Sequence, residues 1–306
     1  MKKIIIAGGS GFLGKALTSF FVVNNFEVII LSRSSGLQKN EQINFIQWDG
    51  KTVEPNWQQA LEGAEAVINL SGKSINCRFN ATNKKELLTS RIDSTKAIGN
   101  AIAACQQPPK VWFNSSSTAI YSNDATTANN EFSTTASTNF LTELTYQWEA
   151  AMQQFALQKT RKMMMRTSLI MAKNDGVFLR LKTLTKFLAG GKQGNGKQMV
   201  SWLHVDDFCA IVLHLMNNET ANGVYNFCAP QPISNAALMK TIQQKINSPI
   251  ALPAPAWLLK IGALFIGTEP DLILNSTNVI SEKLRLEKFA FKYSTFSEAI
   301  IELIGR

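Results

Sequence analysis

The chain of 306 residues contains only two histidines and four cysteines, and these scarcities exclude whole classes of chemistry. Cys77, Cys105, Cys209 and Cys228 form no Cys-x-x-Cys pair, so neither a zinc centre nor a dithiol motif is expected, and no metal site is assigned. Cys105 and Cys209 fall within apolar helical patterns and read as buried thiols. Long hydrophobic runs are also missing. The longest late one, Ala256 to Gly267, is too short to cross a bilayer and carries Lys260. The apolar N-terminus is interrupted by glycine almost at once, unlike a signal peptide. A cytoplasmic protein without a membrane partner is therefore expected. With 45% hydrophobic and 17% charged residues, the composition is that of a globular enzyme with a sizeable core, long enough for about two domains.

Carboxylates are outnumbered, leaving a net charge of +9. The cations concentrate at Lys159, Arg161, Lys162 and Arg166, and again from Arg180 to Lys197. Such a surface attracts polyanions. No nucleic-acid-binding motif accompanies it, so a phosphate-bearing cofactor or small substrate is the expected partner, and nucleic acid is not.

The stretch that organises the rest is Lys3 to Gly14, KIIIAGGSGFLG. Ile4, Ile5 and Ile6 have the composition of a strand buried on both faces. Gly8, Gly11 and Gly14 follow at three-residue spacing, and a helix begins. In a strand–turn–helix of this kind one glycine makes the tight turn, one admits a pyrophosphate to the backbone, and one lets helix and strand pack closely. The helix start adds N–H donors and positive dipole. Gly8, Ser10, Gly11, Phe12, Leu13 and Gly14 are thus candidate dinucleotide-binding residues. A second strand, Glu27 to Leu31, ends at Ser32 and Arg33. An acidic residue here would suit the ribose hydroxyls of NAD, whereas an arginine suits a 2′-phosphate, so NADP(H) is favoured over NAD(H).

Further strands are predicted at Ile43 to Trp48, Ala66 to Leu70, Lys110 to Asn114, Lys162 to Thr167 and Val224 to Cys228. A helical pattern from about Asn83 to Cys105 places Leu88, Ile92, Ile98, Ile102 and Cys105 on one face. Another carries Leu141, Leu144, Trp148, Met152 and Phe155. Strands alternating with helices predict an α/β, Rossmann-type, doubly wound parallel sheet. The polar segment Ser122 to Thr138 reads as a long loop, either covering the site or merely flexible. Residues 1–172 are assigned to the cofactor domain, with 201–229 returning to it. Residues 173–200 and 230–306 form a smaller, mainly helical substrate-side domain. Its apolar helices also make a homodimer a candidate assembly.

Ser71 and Gly72 end the fourth strand, where small residues let a cofactor pass, with Leu70 before them; Ser115 occupies the end of the fifth. Arg78 and Arg91 are candidate anion anchors. His204 and Trp202, in SWLHVDD, are candidates for the substrate side, although Asp206 and Asp207 also look like helix caps.

Together these segments resemble the extended short-chain dehydrogenase/reductases, and more narrowly their atypical branch of sugar-nucleotide epimerases with a C-terminal domain of unknown function. The matching runs are GGSGFLG at 8–14, LSR at 31–33, NLSGKSI at 69–75, SRIDST at 90–95, FLTELTYQWEAA at 140–151, GKQMVSWLHVDDF at 196–208 and NFCAPQPISN at 226–235. The resemblance implies an NADP-binding Rossmann domain and a small polar substrate, such as a nucleotide sugar. It also implies a serine after the fifth strand, matched by Ser117, working with a Tyr-x-x-x-Lys pair on the next helix. Here the chain departs from the superfamily. Tyr146 is followed by Glu149 and Ala150, so no lysine is in register, and Glu149 reads as structural. Tyr121 is the alternative proton donor. Loss of the pair leaves open an NADPH-binding protein without turnover, serving as a redox-sensing or partner-binding module.

Overall fold

The structure, a computed structural model, describes residues 1–34, 41–134, 139–267 and 269–305, with backbone only at 263–266. The strands are β1 (Lys2–Ala7), β2 (Phe26–Ser32), β3 (Ile43–Gln47), β4 (Ala66–Asn69), β5 (Val111–Ser117), β6 (Arg161–Thr167), β7 (Leu169–Ala172), β8 (Met199–Val200), β9 (Trp202–His204), β10 (Gly223–Phe227) and β11 (Ile233–Ser234). The helices are α1 (Phe12–Val23), α2 (Pro55–Gln58), α3 (Ala81–Ala103), α4 (Phe140–Gln153), α5 (Gly176–Lys186), α6 (Val205–Asn217), α7 (Asn235–Lys245), α8 (Ala256–Ile266), α9 (Asp271–Leu274), α10 (Glu282–Leu286) and α11 (Phe296–Ile304).

Seven strands form one parallel sheet in the order β10-β6-β5-β4-β1-β2-β3. Alternation along β1 explains its unbroken isoleucines. Ile4 and Ile6 face a core shared with α1, α6 and α11, while Ile5 and Ala7 face a second core with α3 and α4. Both layers exclude water, so a polar residue at either set of positions would be stranded. The doubly wound sheet predicted from the sequence is therefore present, with a helical region, α7 to α11, after it.

Three details differ from the sequence reading. The fifth strand runs on through Ser117, because Ser115, Ser116 and Ser117 pair in register with Met165, Arg166 and Thr167. The buried stripe of α3 is Leu87, Arg91, Ser94, Ile98 and Ile102, not one containing Leu88 and Ile92, which are half-buried. The polar segment after Tyr121 is anchored at Asn129 and Glu131, and its last expected residues, 135–138, lie outside the described ones. Asn129 exchanges backbone hydrogen bonds with Asn278 and Ile280, and the Glu131 carboxylate accepts from the backbone of Asn226, Glu282 and Lys283. A carboxylate at the start of α10 caps its unsatisfied N–H groups and complements its dipole.

Candidate cofactor crevice and the adjoining buried network

Because every strand of the sheet is parallel, all carboxyl ends lie along one edge, and the chain order reverses at β1 between β2 and β4. A crevice opens at such a switch point. The glycines leading into it have separable physical roles. Gly8 has φ +78°, and a Cβ there would approach the backbone of Leu70 and Ser71 to 3.0 Å. At Gly14 a Cβ would lie 2.4 Å from the Gly9 Cα, so α1 could not approach the turn. Gly9, which the spacing argument passed over, is equally constrained, since its Cβ would meet Ile30 at 2.7 Å. Gly11 differs. Its Cβ would meet nothing nearer than the Gly8 carbonyl at 3.4 Å, so the chain's own packing does not require glycine there. Gly11 is exposed and is the N-cap of α1 without a side-chain cap, and the first turn carries no acidic residue. Uncapped N–H groups and an uncompensated dipole then face outward. Ser10 beside it is exposed, whereas Phe12 and Leu13 pack partly against the core.

At the end of β4 the chain leaves polar atoms unsatisfied. Ser71 Oγ and Arg91 Nε are buried without a hydrogen-bond partner, two of only three such side-chain atoms among the described residues. Buried polar atoms of this kind are uncommon and costly. They flank Gly72, whose Cβ would lie 3.3 Å from the Arg91 guanidinium carbon. Arg91 donates from Nη1 to the Leu87 carbonyl at 3.0 Å and stacks 5.0 Å from the Trp148 ring, with no carboxylate ion-paired to it among the described residues. Burial pushes its pKa down to about 10, which still leaves it charged at neutral pH. Asn69 Nδ2 donates a 2.8 Å hydrogen bond to Asn114 Oδ1, bracing the ends of β4 and β5. Thr95 joins them, accepting from Trp148 Nε1 at 3.1 Å. Ser32 is buried at the end of β2, and Arg33, next along, is exposed with no described ion pair. These donors, a glycine cradle and unpaired cations, suit a dinucleotide phosphate chain.

The neighbouring end of β5 is the opposite case. Arg166 and Glu149 form a buried bidentate pair, Nε to Oε1 and Nη2 to Oε2, both 2.8 Å. Ser116 Oγ donates to Glu149 at 2.5 Å. Arg166 Nη1 donates to the Tyr121 hydroxyl at 2.8 Å, and that hydroxyl donates to Asn226 Oδ1 at 2.9 Å. Asn226 in turn donates to the Ile280 carbonyl, so β5, α4, β6, β10 and the chain before α10 are tied together. The carboxylate and the phenol hold Arg166 well above its ordinary pKa, while burial raises that of Tyr121.

The structure places the sequence candidates accordingly. Gly8, Ser10, Gly11, Gly14, Ser71, Gly72, Arg91 and the Leu70 backbone gather at the crevice, with Ser32 and Arg33 ending the adjoining β2. Ser115 and Ser117 are half-buried on β5, and Ser117 Oγ accepts from the Ala119 N–H at 3.1 Å, leaving its own hydrogen to donate. Tyr121 is 2% exposed with its hydroxyl both donating and accepting, so it offers no proton to a ligand in this arrangement. Tyr146 is exposed on α4, whereas Glu149 three residues on is buried. Arg78 lies 3.6 Å from Glu269, whose carboxylate also takes the Phe79 N–H, so this arginine is paired to the C-terminal region. Trp202 and His204 are not brought to the crevice. Trp202 is fully buried, donates to the Gln231 carbonyl and packs edge-on against Phe296. His204 is itself the N-cap of α6. Its Nδ1 accepts from the Asp206 N–H, so Nε2 carries the hydrogen toward Glu302 at 2.8 Å. Asp207 holds the backbone of Lys292 and Tyr293 instead of capping. Sequence reasoning missed Arg166 and Asn226. A lone arginine closing the buried run MMMRT was the available signal for Arg166.

The sheet, switch-point crevice and glycine turn define a Rossmann-type nucleotide-binding protein. More narrowly, the chain belongs to the NAD dependent epimerase/dehydratase family, whose profile matches residues 4–228. Among curated relatives, an epimerase family protein of Staphylococcus aureus strain MRSA252, SAR0825, is 30% identical over 307 residues, covering 100% of both chains. The crystal structure of human epimerase family protein SDR39U1 (isoform 2) with NADPH superposes with a TM-score of 0.88 at 26% identity, covering 99% of each chain. A nucleoside-diphosphate sugar epimerase from Corynebacterium glutamicum gives a TM-score of 0.79 at 26% identity, over 99% of this chain and 58% of that one.

Proposed function

We propose that this chain binds NADP(H) in the crevice between β1 and β4 and acts as an epimerase or oxidoreductase on a small polar, nucleotide-linked substrate. The observation that carries the reading is the pair of buried, partnerless polar atoms, Ser71 Oγ and Arg91 Nε, beside a glycine turn whose Gly11 is not demanded by packing. The likeness to a human protein solved with NADPH and to a nucleoside-diphosphate sugar epimerase supports it.

In this reading the Gly8–Gly14 turn and the start of α1 take the pyrophosphate, Arg33 takes the 2′-phosphate, and Ser71 and Arg91 complete their hydrogen bonding on the ligand. Bound there, the cofactor supplies hydride exchange with a substrate carbon. Ser117 donates its hydroxyl hydrogen to the substrate oxygen. Tyr121, held by Arg166 and Asn226, shapes the wall behind it instead of transferring the proton. Residues 1–172 with 201–229 form the cofactor half, a division supported by β10 joining the main sheet. Residues 173–200 and 230–306 form the substrate half, supported by the β8–β11 pairing that joins them.

A second reading, cofactor binding without turnover, is favoured by the occupied Tyr121 hydroxyl and by Ala150 standing where a lysine would be. Nicotinamide absorbance in the presence of nucleotide sugars and small carbonyl compounds separates the two. Conversion abolished by Ser117→Ala with cofactor binding intact supports the enzyme. Absence of conversion with any substrate class supports the binding module.

A further inference from the structure

Nine of the seventeen large apolar side chains exposed among the described residues come from two short segments, 179–188 and 250–261. The segments lie against each other. Leu252 donates its N–H to the Leu188 carbonyl at 2.7 Å, Gly191 donates back to Leu252, and Ala254 donates to Lys192 just before α8 begins. Phe187 is 79% exposed and Trp257 64%, while the other five tryptophans are buried. Leu188 sits at φ 65°, the left-handed region that side chains avoid and glycine favours, yet its side chain is also exposed. On α8, Trp257, Leu258 and Ile261 remain exposed among the described side chains of an apolar helix.

The charge around this face says what covers it. Residues 176–205 and 220–268 carry eight of the 31 Lys and Arg residues and none of the 22 Asp and Glu residues. The two segments that build the face, 179–188 and 250–261, carry Arg180, Lys182, Lys186 and Lys260 and no carboxylate. Lys186 precedes Phe187, Lys192 lies opposite Ala254, and Lys260 stands between Leu258 and Ile261, all three exposed. Aromatic and aliphatic side chains interleaved with lysine and free of carboxylate match an anionic lipid interface. A second copy of the chain matches poorly, because a two-fold contact would set these cations against each other.

We propose that the face formed by the end of α5, residues 250–254 and α8 docks on the surface of an anionic phospholipid bilayer. Phe187, Leu252 and Trp257 enter the headgroup–acyl boundary, and the lysines meet acidic headgroups. No helix among the described residues is long and apolar enough to cross a membrane, so the contact is peripheral. This placement is independent of the cofactor reading.

The test uses the full chain with vesicles of phosphatidylcholine alone or mixed with phosphatidylglycerol, read by flotation and intrinsic fluorescence. Binding is expected only to the anionic vesicles, with a blue shift of emission from exposed Trp257. Trp257→Ser or Phe187→Ser should weaken partition about ten-fold, and Lys260→Gln about five-fold. Thermal unfolding and NADPH titration should be unchanged in these variants, since none of the three residues belongs to the crevice. Failure to bind anionic vesicles at low salt, or equal binding by Trp257→Ser, overturns the proposal. So does a concentration-dependent dimer abolished by Trp257→Ser, which assigns the face to a second copy. Binding to polyglutamate without binding to vesicles overturns it in favour of an acidic protein.

Discussion

Two arginines, Arg91 on α3 and Arg166 on β6, are buried to nearly the same extent, 8% and 7% exposed, and their surroundings are opposite. Arg166 has a bidentate carboxylate and Tyr121, whose hydroxyl it bonds and whose ring it stacks on. Arg91 has one carbonyl, a tryptophan face and an orphaned Nε. A buried charge that is fully partnered belongs to the architecture, because removing either partner leaves the other stranded. A buried charge that is half partnered is a cost to the unliganded protein, and an arriving anion relieves it. The network at the end of β5 is satisfied within the fold, whereas the end of β4 keeps buried polar atoms without partners, which the proposed cofactor would satisfy.

The largest expected effect comes from breaking the satisfied region. Arg166→Met should destabilise the protein by about 3–5 kcal/mol in urea unfolding, because Glu149 remains buried without its cation. The double variant Arg166→Met, Glu149→Leu should recover a large part of that loss, since buried pairs replaced by apolar residues are often neutral. Next comes Gly14→Ala. Its Cβ collides with Gly9, and overpacking of this kind costs about 1–3 kcal/mol of stability as well as cofactor affinity. Gly11→Ala sharpens the contrast, with stability changed by less than about 0.5 kcal/mol and binding lost, because only the ligand needs that space. The smallest change in stability is expected for Arg91→Met. Unfolding free energy should stay within about 1 kcal/mol or rise, while cofactor affinity falls about ten-fold. A loss from Arg91→Met as large as that from Arg166→Met would erase the distinction between the two arginines.

The satisfied and unsatisfied regions were unequally legible in the sequence. The glycine turn was readable because its demands are local, set by a strand, a turn and a helix within twelve residues of chain. The alternation of apolar runs gave the doubly wound sheet for the same reason. The Gly9 constraint was not readable, since it comes from Ile30 on a neighbouring strand. Nor was the network of Glu149, Arg166, Tyr121 and Asn226, whose members come from four separate parts of the chain. His204 and Trp202 looked available because α11, which buries them, lies some ninety residues further on. The buried stripe of α3 deviated because its polar members, Arg91, Ser94 and Thr95, face the strand ends near the crevice.

The most direct test of the account is calorimetric titration of the purified protein, and of Arg33→Ala, with NADPH and NADH. The account predicts that the unsubstituted protein binds NADPH at least about ten-fold more tightly than NADH, the contribution of one charge-assisted phosphate contact at an exposed site. It also predicts that Arg33→Ala levels the two affinities. Equal affinity in the unsubstituted protein would contradict the 2′-phosphate assignment, and no binding of either cofactor would contradict the reading of the crevice itself.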